Sequence, residues 1–191
     1  MPEQTIYLIG AGIEGREGFS AKALEIITKA GLLVGRQRHL DRFSDFTGEK
    51  VVLPELPGLL QLLQKTDKTA VVLASGDPNF FGVGRFLLRN LPKERIEIFA
   101  NVTSMQYAFA RIKEPWDDAI FRSVHGRGMD PSIDKIVSSE KACILTDKVN
   151  TPAAIAREML DRGADGYEAW LCEDLGLPEE KFTRTDLKGL L

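Results

Sequence analysis

The chain carries short, unbroken apolar runs separated by stretches in which apolar residues recur at helical spacing. Thr5-Ile6-Tyr7-Leu8-Ile9, Leu32-Leu33-Val34, Val51-Val52-Leu53, Thr69-Ala70-Val71-Val72-Leu73-Ala74 and Ile96-Glu97-Ile98-Phe99-Ala100 read as strands. The run from Thr69 to Ala74 has no polar face, as a parallel strand covered on both sides requires. Leu24, Ile27 and Ala30 form one helical stripe, capped by Ser20 and stopped by Gly31. Further stripes run through Leu59, Leu60, Leu62 and Leu63, through Val83, Phe86 and Leu87, and through Met105, Ala108, Phe109 and Ile112. Strands and helices therefore alternate, which predicts an α/β fold with a mainly parallel sheet and helices on both faces.

Lys113-Glu114-Pro115-Trp116-Asp117-Asp118 interrupts that rhythm and predicts a boundary between domains 1–113 and 114–191. Beyond it, Ile120–Val124, Ala142–Leu145 and Tyr167–Leu171 read as strands. Thr151-Pro152 opens a helix in the order cap, then proline, with Ile155, Met159 and Leu160 as its stripe and Gly163 as its end. No closing strand is evident before Leu191, so the expectation is a chain cut from something longer.

Composition narrows the class without naming a chemistry. Of 191 residues 43% are hydrophobic and 28% charged, the profile of a soluble globular protein. A formal charge of -3 argues against a nucleic-acid face built from bulk charge. No apolar run approaches the roughly 20 residues of a membrane span, and Met1-Pro2-Glu3-Gln4 lacks a basic leader. Cys143 and Cys172 have no metal-ligand spacing and read as reduced thiols on buried strands of a cytoplasmic protein.

The chemistry concentrates in loops that follow strands. Gly76-Asp77-Pro78-Asn79-Phe80-Phe81-Gly82 ends the most apolar strand abruptly, at the carboxyl edge where open α/β sheets hold ligands. Two phenylalanines in such a turn suggest a pocket wall beside close-packed backbone. Gly10-Ala11-Gly12-Ile13-Glu14-Gly15 has the letters of a dinucleotide fingerprint. Its helix, however, starts only around Ala21, too late for its amino end to meet a pyrophosphate. Asp77 either binds a ligand or closes an Asx-turn, and Thr103 and Ser104 either donate to a ligand or cap a helix. Arg38-His39 and His125-Gly126-Arg127 offer cations and titratable rings. An NADP-dependent oxidoreductase and a small-ligand sensor both remain open at this point.

Taken together, the loops Ile9-Gly10-Ala11-Gly12, Ser75-Gly76-Asp77-Pro78 and Asn101-Val102-Thr103-Ser104-Met105-Gln106 resemble the tetrapyrrole methylase family across nearly the whole chain. Val34-Gly35-Arg36-Gln37-Arg38-His39-Leu40, Ser123-Val124-His125-Gly126-Arg127 and Asn150-Thr151-Pro152-Ala153 look most like its cobalt-precorrin C5-methyltransferase branch. That branch is similar to the amino-terminal half of the fused C5,15-methyltransferase (decarboxylating). The resemblance implies two α/β domains with a cleft between them, a homodimer, and S-adenosyl-L-methionine as cofactor. The substrate would be a late precorrin or cobalt-precorrin, with C15 chemistry left to another chain or domain. A methylase acting at another ring carbon is the nearest alternative. By position, the cofactor falls to Ile9, Gly76, Asp77, Phe80, Thr103, Ser104, Leu145 and Thr146. Gly10 and Gly12 would wall the substrate, while Arg38 and Arg127 would bind its carboxylates. His39 or His125 would exchange a proton, given an imidazole pKa near neutrality. The family's usual Pro-Gly before the third loop is replaced by Ala100-Asn101, where Asn tolerates a left-handed backbone.

Overall fold

The structure is a computed structural model that describes residues 5–124 and 129–191. The chain divides into two compact units, Met1–Ser104 and Met105–Leu191. The first is a five-stranded parallel sheet. Its strands are β1 (Ile6–Ala11), β2 (Leu32–Gly35), β3 (Glu49–Val52), β4 (Ala70–Ser75) and β5 (Ile96–Phe99), in the spatial order β3-β2-β4-β1-β5. β1 lies between β4 and β5, with Ile9 opposite both Leu73 and Phe99.

Strand periodicity splits the buried residues between two cores. Ile6, Leu8, Leu32, Val34, Ala70 and Val72 face one side, where Leu59 and Leu63 of α3 (Leu56–Lys65) and Leu87 of α4 (Gly84–Asn90) cover them. Ile9, Ala11, Leu33, Val71 and Leu73 face the other, under Ala23 and Ile27 of α1 (Ala21–Lys29) with Phe19, Leu40 and Phe43. Burial on both faces explains why the central strands read as continuous apolar runs. α1 begins where expected, with the Ser20 hydroxyl accepting the Ala23 N–H at 3.2 Å.

The basic stretch after β2 was expected to be a loop, and Gln37–Leu40 forms a short helix instead, α2. The Arg36 carbonyl accepts N–H bonds from both His39 and Leu40, and burial of those two residues turns the segment inward. Four residues are too few to show a helical period in sequence.

In the second unit β6 (Ile120–Ser123) pairs in parallel with β7 (Ala142–Leu145). Between them lies α6 (Asp130–Val137), a helix not expected from sequence. Its Ile133 and Ile136 join Val124, Ile155, Ala156, Met159 and Leu187 in a separate core. α7 (Pro152–Asp161) starts as expected, the Thr151 hydroxyl accepting the Ala154 N–H.

The expectation of no closing strand is corrected. β9 (Lys181–Asp186) runs antiparallel to β8 (Glu168–Glu173), with Trp170 opposite Arg184. Both strands keep polar side chains exposed, so neither carries a long apolar run. Arg184 bonds Glu168 and its guanidinium sits 5.8 Å from the Trp170 ring centroid.

The units part at Ser104, ahead of the predicted boundary at 113. All of α5 (Ser104–Ile112) after its first residue accordingly lies in the second unit. The Tyr107 hydroxyl and the Arg111 Nε both donate to Glu180, and Phe109 packs edge-to-face on Phe121. The cysteines are half-buried and free, and burial, then the neighbouring Cys172, pushes the Cys143 thiol up to about 12. Among the described residues no helix is long and apolar enough to cross a membrane.

Candidate functional site

Three loops meet at the carboxyl edge of the first sheet because β4, β1 and β5 are neighbours there. The Gly76 N–H donates to the Ala11 carbonyl at 2.9 Å, so the β4 turn leans on the end of β1. Gly76 has φ +59°, and a Cβ there would lie 2.8 Å from Thr103 Cα. A Cβ on Gly10 would lie 1.9 Å from the Gly76 carbonyl oxygen and 2.8 Å from the Asn101 nitrogen. Close packing therefore demands glycine at both 10 and 76, and at Gly76 the left-handed backbone demands it as well.

Asn101 ties this junction together through its side chain. Its Nδ2 donates to the Gly10 and Gly18 carbonyls at 3.0 and 2.9 Å, and its Oδ1 accepts the Val102 N–H at 2.8 Å. The expectation that Asn stands here for its left-handed backbone is corrected, since Asn101 is not among the positive-φ residues. The carboxamide instead satisfies two carbonyls that the turning chain leaves open. Gly12 lies against the same group, its hypothetical Cβ 2.5 Å from Asn101 Oδ1.

The turn after β4 is closed by its own side chain. Asp77 Oδ1 accepts the Asn79 N–H at 2.8 Å, an Asx-turn, and Phe80 N–H bonds the Asp77 carbonyl. Phe81 is held at φ 54°, a conformation that costs on the order of 1–3 kcal/mol for a bulky residue. Its ring meets Phe80 edge-to-face at 4.7 Å, and both rings stay partly exposed. Thr103 is buried, and α5 begins directly after it at Ser104.

The ends of β2 and β4 form a cationic corner. Arg38 Nη2 donates to Ser75 Oγ at 2.9 Å, and His39 Nε2 lies 3.4 Å from the same oxygen. Arg42 Nη1 donates to the Gly12 and Gly15 carbonyls, tying the glycine loop to the segment after α2. Burial, then Arg36 and Arg42, lowers the Arg38 pKa. His39 is only 3% exposed, and its Nδ1 makes no hydrogen bond of acceptable geometry among the described residues. Burial first, then Arg38, Arg42 and Arg36, depresses its pKa to about 4, and a weak hydrogen bond from the ring to the Leu73 backbone is the smallest influence and of opposite sign. The near-neutral pKa on which a proton-exchange role for His39 was based is thus corrected: the ring is neutral at pH 7.

Leu145 ends β7 half-buried, its carbonyl accepting the Val124 N–H at 3.0 Å, and Thr146 follows, exposed. Asn150 Nδ2 donates to the Val124 carbonyl at 2.7 Å, while Asp147 Oδ1 accepts N–H bonds from Val149 and Asn150. His125 and Arg127 lie outside the described residues. Sequence reasoning missed Ser75, Arg42, Asp147 and the side-chain role of Asn150. The clustering of Asn, Asp and Ser after strands could have signalled all of these but Arg42, which carries no local mark.

A cavity of about 140 Å³ lies among Ile9, Gly10, Phe19, Ser20, Phe99 and Asn101. Pockets for drug-sized ligands occupy roughly 300–1,000 Å³, larger than this cavity. A broader, shallow depression of about 590 Å³ around Ser138, Ser139, Gly166 and Tyr167 contains none of the candidate residues.

Comparison with known proteins converges on one family. The model of the tetrapyrrole (corrin/porphyrin) methylases matches residues 5–191. A cobalt-precorrin-7 C(5)-methyltransferase from Salmonella typhimurium is 34% identical over 177 residues, 92% of this chain and 87% of that protein. A precorrin-6Y C(5,15)-methyltransferase [decarboxylating] from Sinorhizobium sp is 30% identical, over 92% of this chain but 43% of that longer protein. The crystal structure of uroporphyrin-III C-methyl transferase from Thermus thermophilus, complexed with S-adenosylhomocysteine, superposes with a TM-score of 0.75. That match has 25% identity and covers 97% of this chain and 90% of the other.

Proposed function

Because this chain belongs to the tetrapyrrole (corrin/porphyrin) methylases, we propose that it methylates C5 of a late precorrin, with cobalt-precorrin-7 as its substrate. The observation that carries this reading is the near full-length match, in both directions, to a cobalt-precorrin-7 C(5)-methyltransferase. The chemistry of the carboxyl edge supports it. A close-packed backbone junction, an Asx-closed turn and a partly exposed aromatic pair suit the adenosyl and amino-acid groups of S-adenosylmethionine. The cationic corner suits a ring bearing many carboxylates.

S-adenosylmethionine supplies an electrophilic methyl group on a sulfonium sulfur. We assign its binding to Ile9, Gly76, Asp77, Phe80, Thr103 and Ser104, and on family resemblance alone to Leu145 and Thr146. Gly10 and Gly12 line the substrate side, and Arg38 and Arg127 hold its carboxylates. Methyl transfer to carbon needs little covalent help from protein, so orientation supplies most of the rate. The glycine junction and the Asn101 carboxamide brace the loops that carry these residues. His125 is the remaining candidate for proton exchange. The C15 step named for the longer relative belongs to a separate chain or domain, and, on family resemblance alone, the enzyme works as a cytoplasmic homodimer.

The test is binding followed by turnover. S-adenosylhomocysteine is expected to raise the melting temperature and NADPH to leave it unchanged, because only a ligand of the native state stabilises it. Gly76→Val is expected to abolish that shift. Incubation with S-adenosylmethionine and cobalt-precorrin-7 should add one methyl group, placed at C5 by NMR. A shift with NADPH alone, or a methyl group at another carbon, would sink this reading.

A further inference from the structure

We propose that Arg38 and Ser75 form a receptor for one carboxylate of the ring substrate, and that His39 is the positioning residue which turns the Ser75 hydroxyl proton outward to meet it. The identity of the ring rests on the methylase reading above; the receptor itself rests on the following geometry.

Ser75 is the last residue of β4, exposed at the sheet edge opposite Ala11, one residue before the Gly76 turn. A hydroxyl has two acceptor lone pairs and a single proton to donate. One lone pair takes an N–H from Arg38 Nη2 at 2.9 Å. The neutral His39 ring decides what happens to the rest, since its Nε2 sits 3.4 Å from the same oxygen. If Nε2 were bare, the hydroxyl would point inward to it, and its proton would be lost to any ligand. With a proton on Nε2, the ring donates to the second lone pair and the hydroxyl proton is released toward solvent.

The environment of the other nitrogen selects between these. Nδ1 is buried and makes no hydrogen bond of acceptable geometry among the described residues, the Leu73 backbone being the one other acceptor near the ring and only a weak influence on it. A buried N–H without an acceptor is rarer and more costly than a buried lone pair without a donor, so the proton belongs on Nε2. The result is an outward O–H beside a guanidinium that uses one of its five N–H donors on Ser75.

Charge agrees. Among the described residues, Arg36, Arg38 and Arg42 have no carboxylate partner, and burial first, then the charges of Arg36 and Arg42, lowers the Arg38 pKa. A guanidinium fork and one hydroxyl match the two oxygens of a single carboxylate. The neutral, buried His39 holds the hydroxyl without adding a competing charge.

Steady-state kinetics with cobalt-precorrin-7 test this. Arg38→Gln and Ser75→Ala are expected to raise KM by about tenfold or more while kcat changes less than about threefold, the signature of lost uniform binding. His39→Phe, which removes the donor, should raise KM about as much as Ser75→Ala. His39→Gln, whose amide N–H can reach the Nε2 position, should recover most of it. The S-adenosylhomocysteine melting shift should persist in all four variants. In labelled protein, the ¹⁵N shifts of the His39 ring should show the Nε2–H tautomer, a readout that a purely structural histidine would not need.

A fall in kcat at constant KM in Ser75→Ala, or an Nδ1–H tautomer, would overturn the proposal. Should wild-type protein fail to turn over cobalt-precorrin-7, the methylase reading fails first. Direct binding of uroporphyrin, a stable ring octacarboxylate, then decides the receptor separately. Affinity at least about tenfold weaker in Arg38→Gln and Ser75→Ala supports it. Equal affinity in all proteins, or no binding at all, overturns it.

Discussion

At the scale of single residues, His39 shows how burial changes a side chain's use. In the unfolded chain its imidazole takes a proton near its ordinary pKa of 6.5, whereas the folded ring resists protonation until about pH 4. The folded pKa is depressed, so as pH falls through that window the unfolded state binds the extra proton. The contribution to stability is complete above pH 6.5 and is lost progressively down to pH 4, by about 3 kcal/mol at most. Wild-type stability in urea, measured from pH 7 to pH 4, should therefore fall more steeply than that of His39→Gln. Parallel curves would show that the ring titrates alike in both states. Sequence exposed the pair Arg38-His39 and its chemistry. It could not show that one side chain is exposed and the other buried, because α2 is shorter than one hydrophobic repeat.

Among elements, the decisive contact is that between Asn101 and two distant carbonyls. Gly10 lies near the end of β1, Gly18 in the segment after it and Asn101 in the loop after β5, so the carboxamide joins sequence-remote parts of the chain. Asn101→Ala leaves both carbonyls open and should cost about 1–3 kcal/mol in chemical denaturation. It should also weaken the S-adenosylhomocysteine melting shift, since the Gly10–Gly76 junction loses its brace. Thr151→Ala offers a contrast in the second unit. It removes one helix cap from α7, should cost about 1 kcal/mol, and should leave that junction's hydrogen bonds intact. The cap was legible because Thr-Pro is a local signal. The Asn101 lock was not, because its partners lie 91 and 83 positions away.

For the whole molecule, a net charge of -3 coexists with a cationic corner, so attraction of an anionic ring must be local rather than global. Raising ionic strength from about 0.05 to 0.5 M should therefore raise KM for the carboxylate-rich substrate several-fold, as the Debye length shrinks below 10 Å. Affinity for S-adenosylhomocysteine, which carries no net charge near neutrality, should change little. An equal salt effect on both ligands would argue against a separate carboxylate site.

The alternating apolar runs by themselves determined the parallel sheet, since strands covered on both faces leave a signal that needs no partner. Local turn chemistry likewise determined the end of β4 at Gly76, the late start of α1 and the cap of α7. Tertiary structure alone decided three things. The sheet order brings the ends of β1, β4 and β5 together. The half-covered ladder makes a strand of Lys181–Asp186 despite its polarity. Burial turns His39 into a neutral partner of Ser75. Each depends on residues far apart in the chain, and hydrophobic periodicity registers whether a residue is buried without recording what it is buried against.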